Sequence, residues 1–217
     1  MTSGGPGTAV LPGRDGGAGF PIVALVCSAG GLDALTRVLE PLPAGLPAAV
    51  IVLQHLSPDR PSELAAILAR RTALPVAPAA DGTPLTPGRI VVCPPGRHTL
   101  VTGDGTIALI PSGSPPPYRP SADLLLTTLA LAAGDRVIAV VLSGEGNDAA
   151  TGASAVHRFG GTVVASTVDT SAYESMPRAT IDRDDAVDHV VDLDDIAALL
   201  IALCTTPVVS PDPSAGG

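Results

Sequence analysis

The sequence predicts a doubly wound α/β domain: a mainly parallel sheet flanked by helices, with an inserted antiparallel β-hairpin. Three observations carry this expectation. Short apolar runs alternate with segments of helical periodicity along most of the chain. The runs are continuous rather than interleaved with polar residues, as in strands covered on both faces. The apolar content, 46% of the residues, is almost wholly aliphatic, with no Trp, two Tyr and two Phe, and Val, Leu, Ile and Ala suit a parallel core.

Residues 1–20 are Gly-rich and patternless, and 205–217 are rich in Pro, Ser and Gly, so both read as tails around one domain at 21–204. Residues 21–27 (PIVALVC) form the first buried strand. Gly30 and Gly31 open a helix on which Leu32, Leu35, Val38 and Leu39 recur at helical spacing. Residues 48–53 (AAVIVL) form the second strand. Pro61 stands near the start of the next helix, where its fixed φ is favoured, and that helix runs to about Arg70 before an apolar stretch at 74–76. The middle changes character. Residues 89–93, 99–102 and 106–110 are short strands, Gly103-Asp104-Gly105 turns the last two into a hairpin, and the Pro-rich loop 111–120 crosses the surface. Alternation then resumes. Ser121 caps a helix over 122–133; a strand at 136–142, a helix at 149–159 and a strand at 162–166 follow. A short helix at 176–182, a strand at 188–191 and a closing helix at 194–203 complete the chain.

The formal net charge is −9 and the pI about 4.6, so the basic footprint of a nucleic-acid or headgroup-binding surface is missing. Cys27, Cys93 and Cys204 are odd in number, far apart and without a C-x-x-C pair, which indicates neither a disulfide framework nor a zinc site and suits a reducing compartment. The N-terminus lacks the pattern of a signal peptide, and no apolar run approaches the ~20 residues of a membrane span. A cytoplasmic domain without membrane insertion is expected.

In an open parallel sheet, sites form beyond the carboxyl ends of the strands, so the informative residues are the polar ones just after each apolar run. The first run ends in Cys27-Ser28-Ala29-Gly30-Gly31 and the second in Gln54-His55. The strand at 136–142 ends in Ser143-Gly144-Glu145-Gly146-Asn147-Asp148. A hydroxyl, an imidazole and a carboxylate thus share one sheet edge, and together they can make an activated nucleophile: Ser28 attacks, His55 takes its proton, and Asp148 orients the imidazole and stabilises its charge. The order Ser, His, Asp is no objection, because geometry rather than chain order defines such a triad.

Each member also has a plainer reading. A Ser between strand and helix is more often an N-cap. Gly30-Gly31 serves a tight turn or admits a phosphate to a helix N-terminus, although G-x-G-x-x-G is absent. Cys27 is a rival nucleophile that strand alternation turns away from Ser28 as buried filler. Of the four histidines, His98 sits beside the hairpin, His157 on a helix and His189 on a late strand; only His55 stands at the mouth of a buried strand. Asp148 competes with Asn147 and Glu145, and on local grounds serves equally well as the cap of the helix that begins at Ala149.

These segments resemble the catalytic domain of the protein-glutamate methylesterase (CheB) family. The resemblance covers 27–31 (CSAGG), 51–55 (IVLQH), 84–90 (PLTPGRI), 94–98 (PPGRH), 119–123 (RPSAD), 142–148 (LSGEGND) and 175–179 (SMPRA), all in family order. It implies a doubly wound serine esterase that needs no cofactor and hydrolyses γ-glutamyl methyl esters on methylated chemoreceptors, in chemotaxis or a related chemosensory pathway; some members also deamidate receptor glutamines. Position by position, Ser28 matches the nucleophile, His55 the base and Asp148 the orienting acid, while Arg119 and Met176 match motifs at the rim of the active site. The chain departs from the family in having Ala29 where a Thr is usual, Glu145 where a Met is usual, and Ala149 where a Gly is usual. The backbone N–H at Glu145 can still serve an oxyanion hole, but a carboxylate there opposes developing negative charge unless it points to solvent. Family members commonly carry an N-terminal phospho-accepting receiver domain. Only about 20 patternless residues precede the first strand here, so constitutive activity or a regulator acting in trans is expected. Two other readings compete: an interaction module on an esterase fold that has lost turnover, and a serine hydrolase of another small ester or amide.

Overall fold

A computed structural model describes residues 19–113 and 119–205. Most of the two expected tails, 1–18 and 206–217, and the centre of the Pro-rich loop, 114–118, lie outside the described residues. The inner ends of those tails belong to the fold: Phe20 packs against the core and Thr205 ends the last helix.

The main sheet has seven strands, β1 (Ile22–Cys27), β2 (Ala49–Gln54), β3 (Val76–Pro78), β4 (Arg89–Val92), β7 (Val137–Val141), β8 (Thr162–Ser166) and β9 (His189–Val191), in the order β3-β4-β2-β1-β7-β8-β9. Every pairing in it is parallel. Between β4 and β7 the chain makes the antiparallel hairpin of β5 (Arg97–Val101) and β6 (Ile107–Pro111). The helices are α1 (Gly31–Leu39), α2 (Leu64–Leu68), α3 (Ala122–Ala133), α4 (Ala150–Arg158), α5 (Ser175–Ile181) and α6 (Ile196–Thr205).

Side chains alternate across each strand, which divides the core into two layers. Val23, Leu25 and Cys27 of β1 and Val50 and Val52 of β2 face α1, α2 and α6. Ala24, Val26, Ile51 and Leu53 face α3, α4, Met176 and the inner side of the hairpin. Both faces of the central strands β1, β2 and β7 are therefore dry, as their unbroken apolar character required. The hairpin is moored to α3, where the Val101 amide donates to Thr128 Oγ1 at 3.2 Å.

Two expectations need correction. The helix after Pro61 begins later and is short, Leu64–Leu68; the Ser62 hydroxyl accepts the Leu64 amide at 3.2 Å, so Pro61 to Glu63 form a turn outside the helix. The stretch at 74–76 leads into an edge strand, β3, paired with β4.

Candidate active site

The chain runs outward from β1 to β2 on one side and returns to β7 on the other, so β2, β1 and β7 are neighbours at the point where strand order reverses. Ser28 follows β1 and His55 follows β2. Cys27 and Gln54 are register partners, which places Ser28 and His55 side by side on adjacent strand ends. By alternation both continue the face of Ala24, Val26, Ile51 and Leu53, the face that α3 and α4 cover. The same parity turns Cys27 into the opposite layer, where burial pushes its thiol far up; it is a protonated core residue at neutral pH.

The nucleophile turn is bound to the loop after β7. The Ser28 amide donates to the Ser143 carbonyl at 3.0 Å, and the Ser143 hydroxyl donates to the Ala29 carbonyl at 2.9 Å while accepting the Tyr173 amide at 3.0 Å. Gly30 has a φ of 72°, and a Cβ there would lie 2.8 Å from Ser143 Oγ, so a glycine is required to reverse the chain at this point. Gly144 lies against Ser28, whose Cβ would be 2.9 Å from an added Cβ, and against the buried thioether of Met176. Met176, matched to the active-site rim by resemblance, is buried on the side of Gly144 that also faces Ser28. Ala29 is half-buried in the turn and Glu145 is exposed, so the Glu145 carboxylate faces water. Arg119 lines a cleft of about 380 Å³ with His55, Leu56, Ser57, Pro58 and Asp59, and its carbonyl accepts the Leu56 amide at 3.0 Å.

His55 Nε2 lies 2.9 Å from Asp148 Oδ2, with side-chain exposures of 10% and 3%. The carboxylate is held from four directions: it accepts the Ala122 amide at 2.7 Å, the Asp123 amide at 2.9 Å, the Ser121 hydroxyl at 3.2 Å and the imidazole. Burial alone would raise the Asp148 carboxyl, but the bonds from His55 and from the Asp123 and Ala122 amides outweigh it and hold the group below the usual carboxylate range. An ionised carboxylate only accepts, so Nε2 of His55 is the donor in this bond. Of the three expected residues, a hydrogen bond joins His55 and Asp148, and Ser28 stands beside His55 on the neighbouring strand end.

Asp148 is indeed a helix cap, but not of the helix that follows it. It caps α3, 25 and 26 residues away. The N-cap position of α4 is Ala149, at φ 110°, a conformation glycine tolerates and alanine does not. Ala149→Gly should relieve that strain and raise stability by about 1 kcal/mol, read as a rise of about 2–4 °C in the thermal midpoint; an unchanged or lower midpoint would contradict it. Ser121 caps α3 as expected, accepting the Leu124 amide at 3.3 Å.

Four more residues belong to this site than the sequence assigned to it: Ser121, expected only as a helix cap, His98, expected only beside the hairpin, and Asp123 and Ser143. His98 Nδ1 accepts the Ser121 amide at 3.0 Å, so it supports the cradle of Asp148 from the hairpin side. Their signal was present in the segments RPSAD, PPGRH and LSGEGND, where a side chain that bonds to another element looks like any loop polar residue. His157 stands on α4 beside Asp188, at 3.5 Å, and His189 on β9.

The CheB methylesterase family model matches residues 23–200. The chain is 38% identical over 199 residues to a protein-glutamate methylesterase/protein-glutamine glutaminase of Moorella thermoacetica, covering 90% of this chain and 46% of that one. It is 38% identical over 200 residues to a Myxococcus xanthus protein of the same designation, covering 92% and 56%. It therefore spans about half the length of these curated relatives. The crystal structure of the Thermotoga maritima CheB methylesterase catalytic domain superposes with a TM-score of 0.81 at 31% identity, over 86% of this chain and 100% of that one. The chain belongs to the CheB methylesterase family.

Proposed function

We propose that this protein is a serine esterase that hydrolyses glutamate γ-methyl esters on chemoreceptor-type proteins, with Ser28 as nucleophile, His55 as base and Asp148 as orienting acid. One observation carries the reading: the 2.9 Å bond between His55 Nε2 and a buried, ionised Asp148, made at the strand end next to Ser28. With Nε2–H given to Asp148, Nδ1 of His55 receives the Ser28 proton as Oγ attacks the ester carbonyl. The tetrahedral oxyanion is met by backbone N–H groups at Ala29 and Glu145, which need no particular side chain. Its collapse expels methoxide, which takes the proton from His55 and leaves as methanol. Water then repeats the sequence on the acyl-enzyme and releases the glutamate carboxylate. The Ser–His contact is expected to tighten in the substrate complex, since such bonds are often long in free enzymes.

The curated relatives' names also support action on glutamine: the same attack on a γ-carboxamide would expel ammonia. The exposed Glu145 carboxylate removes the main electrostatic objection to turnover, because its charge is screened by water rather than directed into the site. Methanol release from a methylated chemoreceptor tests the reading. Turnover of a generic ester but not of the receptor would point to another small ester or amide, and binding without any turnover to an interaction module.

A further inference from the structure

We infer that Asp123 is a positioning residue for this reaction: it holds Asp148 against His55 through an exchange of carboxylate caps between the N-termini of α3 and α4. The inference rests on the esterase reading above. Asp123 gives its own amide to Asp148 Oδ1 at 2.9 Å. In return its carboxylate takes the amide of Ala149, the residue after Asp148, at 3.1 Å, and that of Gly152 at 2.7 Å, both on Oδ1. Asp148 therefore caps the helix that carries Asp123, and Asp123 caps the helix that begins just after Asp148. Asp148 cannot swing from the imidazole without losing the Ala122 and Asp123 amides, and the backbone next to it cannot move without breaking the Ala149 bond to Asp123.

The packing is built for this closeness. A Cβ on Gly152 would lie 2.6 Å from Leu126 Cβ and 3.1 Å from both the Cα and the carbonyl oxygen of Asp123, so only glycine lets the two helix starts meet. The positive φ of Ala149 is a further cost, borne at the residue whose amide Asp123 holds. The charge is costly too. Burial and then the nearby Asp148 push the Asp123 carboxyl up, against the pull of the two amides. A cap serving α4 alone needs no carboxylate beside a second one; Ser or Thr would satisfy the amides. Geometry at Asp148 is what the second acid adds.

The test is steady-state hydrolysis of p-nitrophenyl acetate and of methylated receptor by the whole chain carrying D123A, D123N or D123E, with S28A as the reference. Misplacing a catalytic group by about 1 Å costs on the order of 10²-fold, so D123A should lower kcat by about 10–100-fold with KM little changed. D123N keeps an acceptor oxygen in place and should recover most of kcat. D123E keeps the charge but moves the oxygens by one methylene, and should remain impaired. Parent-like kcat in D123A, with S28A inactive, would overturn this inference alone, as would a kcat loss that only follows the unfolded fraction seen by circular dichroism. Should D123A fail to fold, the D123N and D123E pair decides, and an active D123E with an impaired D123N overturns it. Parent-like turnover in S28A would remove the esterase reading and this inference with it.

Discussion

Ser28→Ala is expected to lower ester hydrolysis by three or more orders of magnitude, His55→Ala by a similar factor, and the double variant by little beyond either. In the proposed triad the serine hydroxyl is a poor nucleophile until the imidazole takes its proton, so removing one partner leaves the other without a task. Residual hydrolysis would come from the backbone donors and from binding. Steady-state rates on one ester for the three variants check this. Additive losses would mean that the two residues act separately, which would contradict a shared proton transfer. Ser28 lies at the junction of β1 and α1, and the exchange of hydroxyl for hydrogen leaves its backbone bonds to Ser143 and Gly31 intact, so the variant should remain folded.

Asp148 is expected to show two separable losses. Asp148→Asn keeps the shape but removes the charge that fixes the tautomer of His55, and losses of about 10⁴ in kcat accompany such a change in a serine triad. Asp148→Ala should add a structural penalty, because the buried amide of Ala122 and that of Asp123 lose their acceptor; about 1–3 kcal/mol per unsatisfied group is the expected scale. The stability effect carries a pH signature. The native carboxyl lies below its ordinary value, so the ionised form contributes stability above the unfolded value, and that contribution is lost as pH falls through the lower native one. The gap in stability between parent and Asp148→Ala should therefore be steady through neutral pH and narrow only below about pH 4. Denaturant unfolding at several pH values measures it. A gap that closed between pH 5 and 7 would contradict a carboxylate held ionised by its donors.

The three residues of the proposed triad could be picked out because parallel strands bring their loops to one edge of the sheet. Once the buried runs at 22–27, 49–54 and 137–141 are located, Ser28 and His55 directly follow the first two, and Asp148 lies in the polar loop after the third, behind Ser143, Glu145 and Asn147. Strand alternation likewise separated Cys27 from Ser28. What remained hidden depends on contacts between elements distant in sequence. Asp148 before an apolar helix is locally indistinguishable from a cap of that helix, and its actual targets, Ala122 and Asp123, are brought to it only when α3 and α4 pack at Gly152. Asp123 shows the same ambiguity in reverse. Ser143 reads as the end of a strand until the loop before α5 arrives to donate the Tyr173 amide. The misplaced start of α2 has a different cause. Pro61 suits a first helical turn, but the Ser62 hydroxyl captures the Leu64 amide and diverts the chain into a turn first.

The chain spans about half of its curated relatives, and among its described residues no helix is long and apolar enough to cross a membrane. The activity of this half therefore has to be measured directly. The decisive measurement is methanol released by the purified chain from a chemoreceptor carrying glutamate γ-methyl esters, with the Ser28→Ala chain in parallel. The account predicts methanol in proportion to active chain and none above background from the variant. Equal release from both, or no release by a folded parent chain, would contradict it.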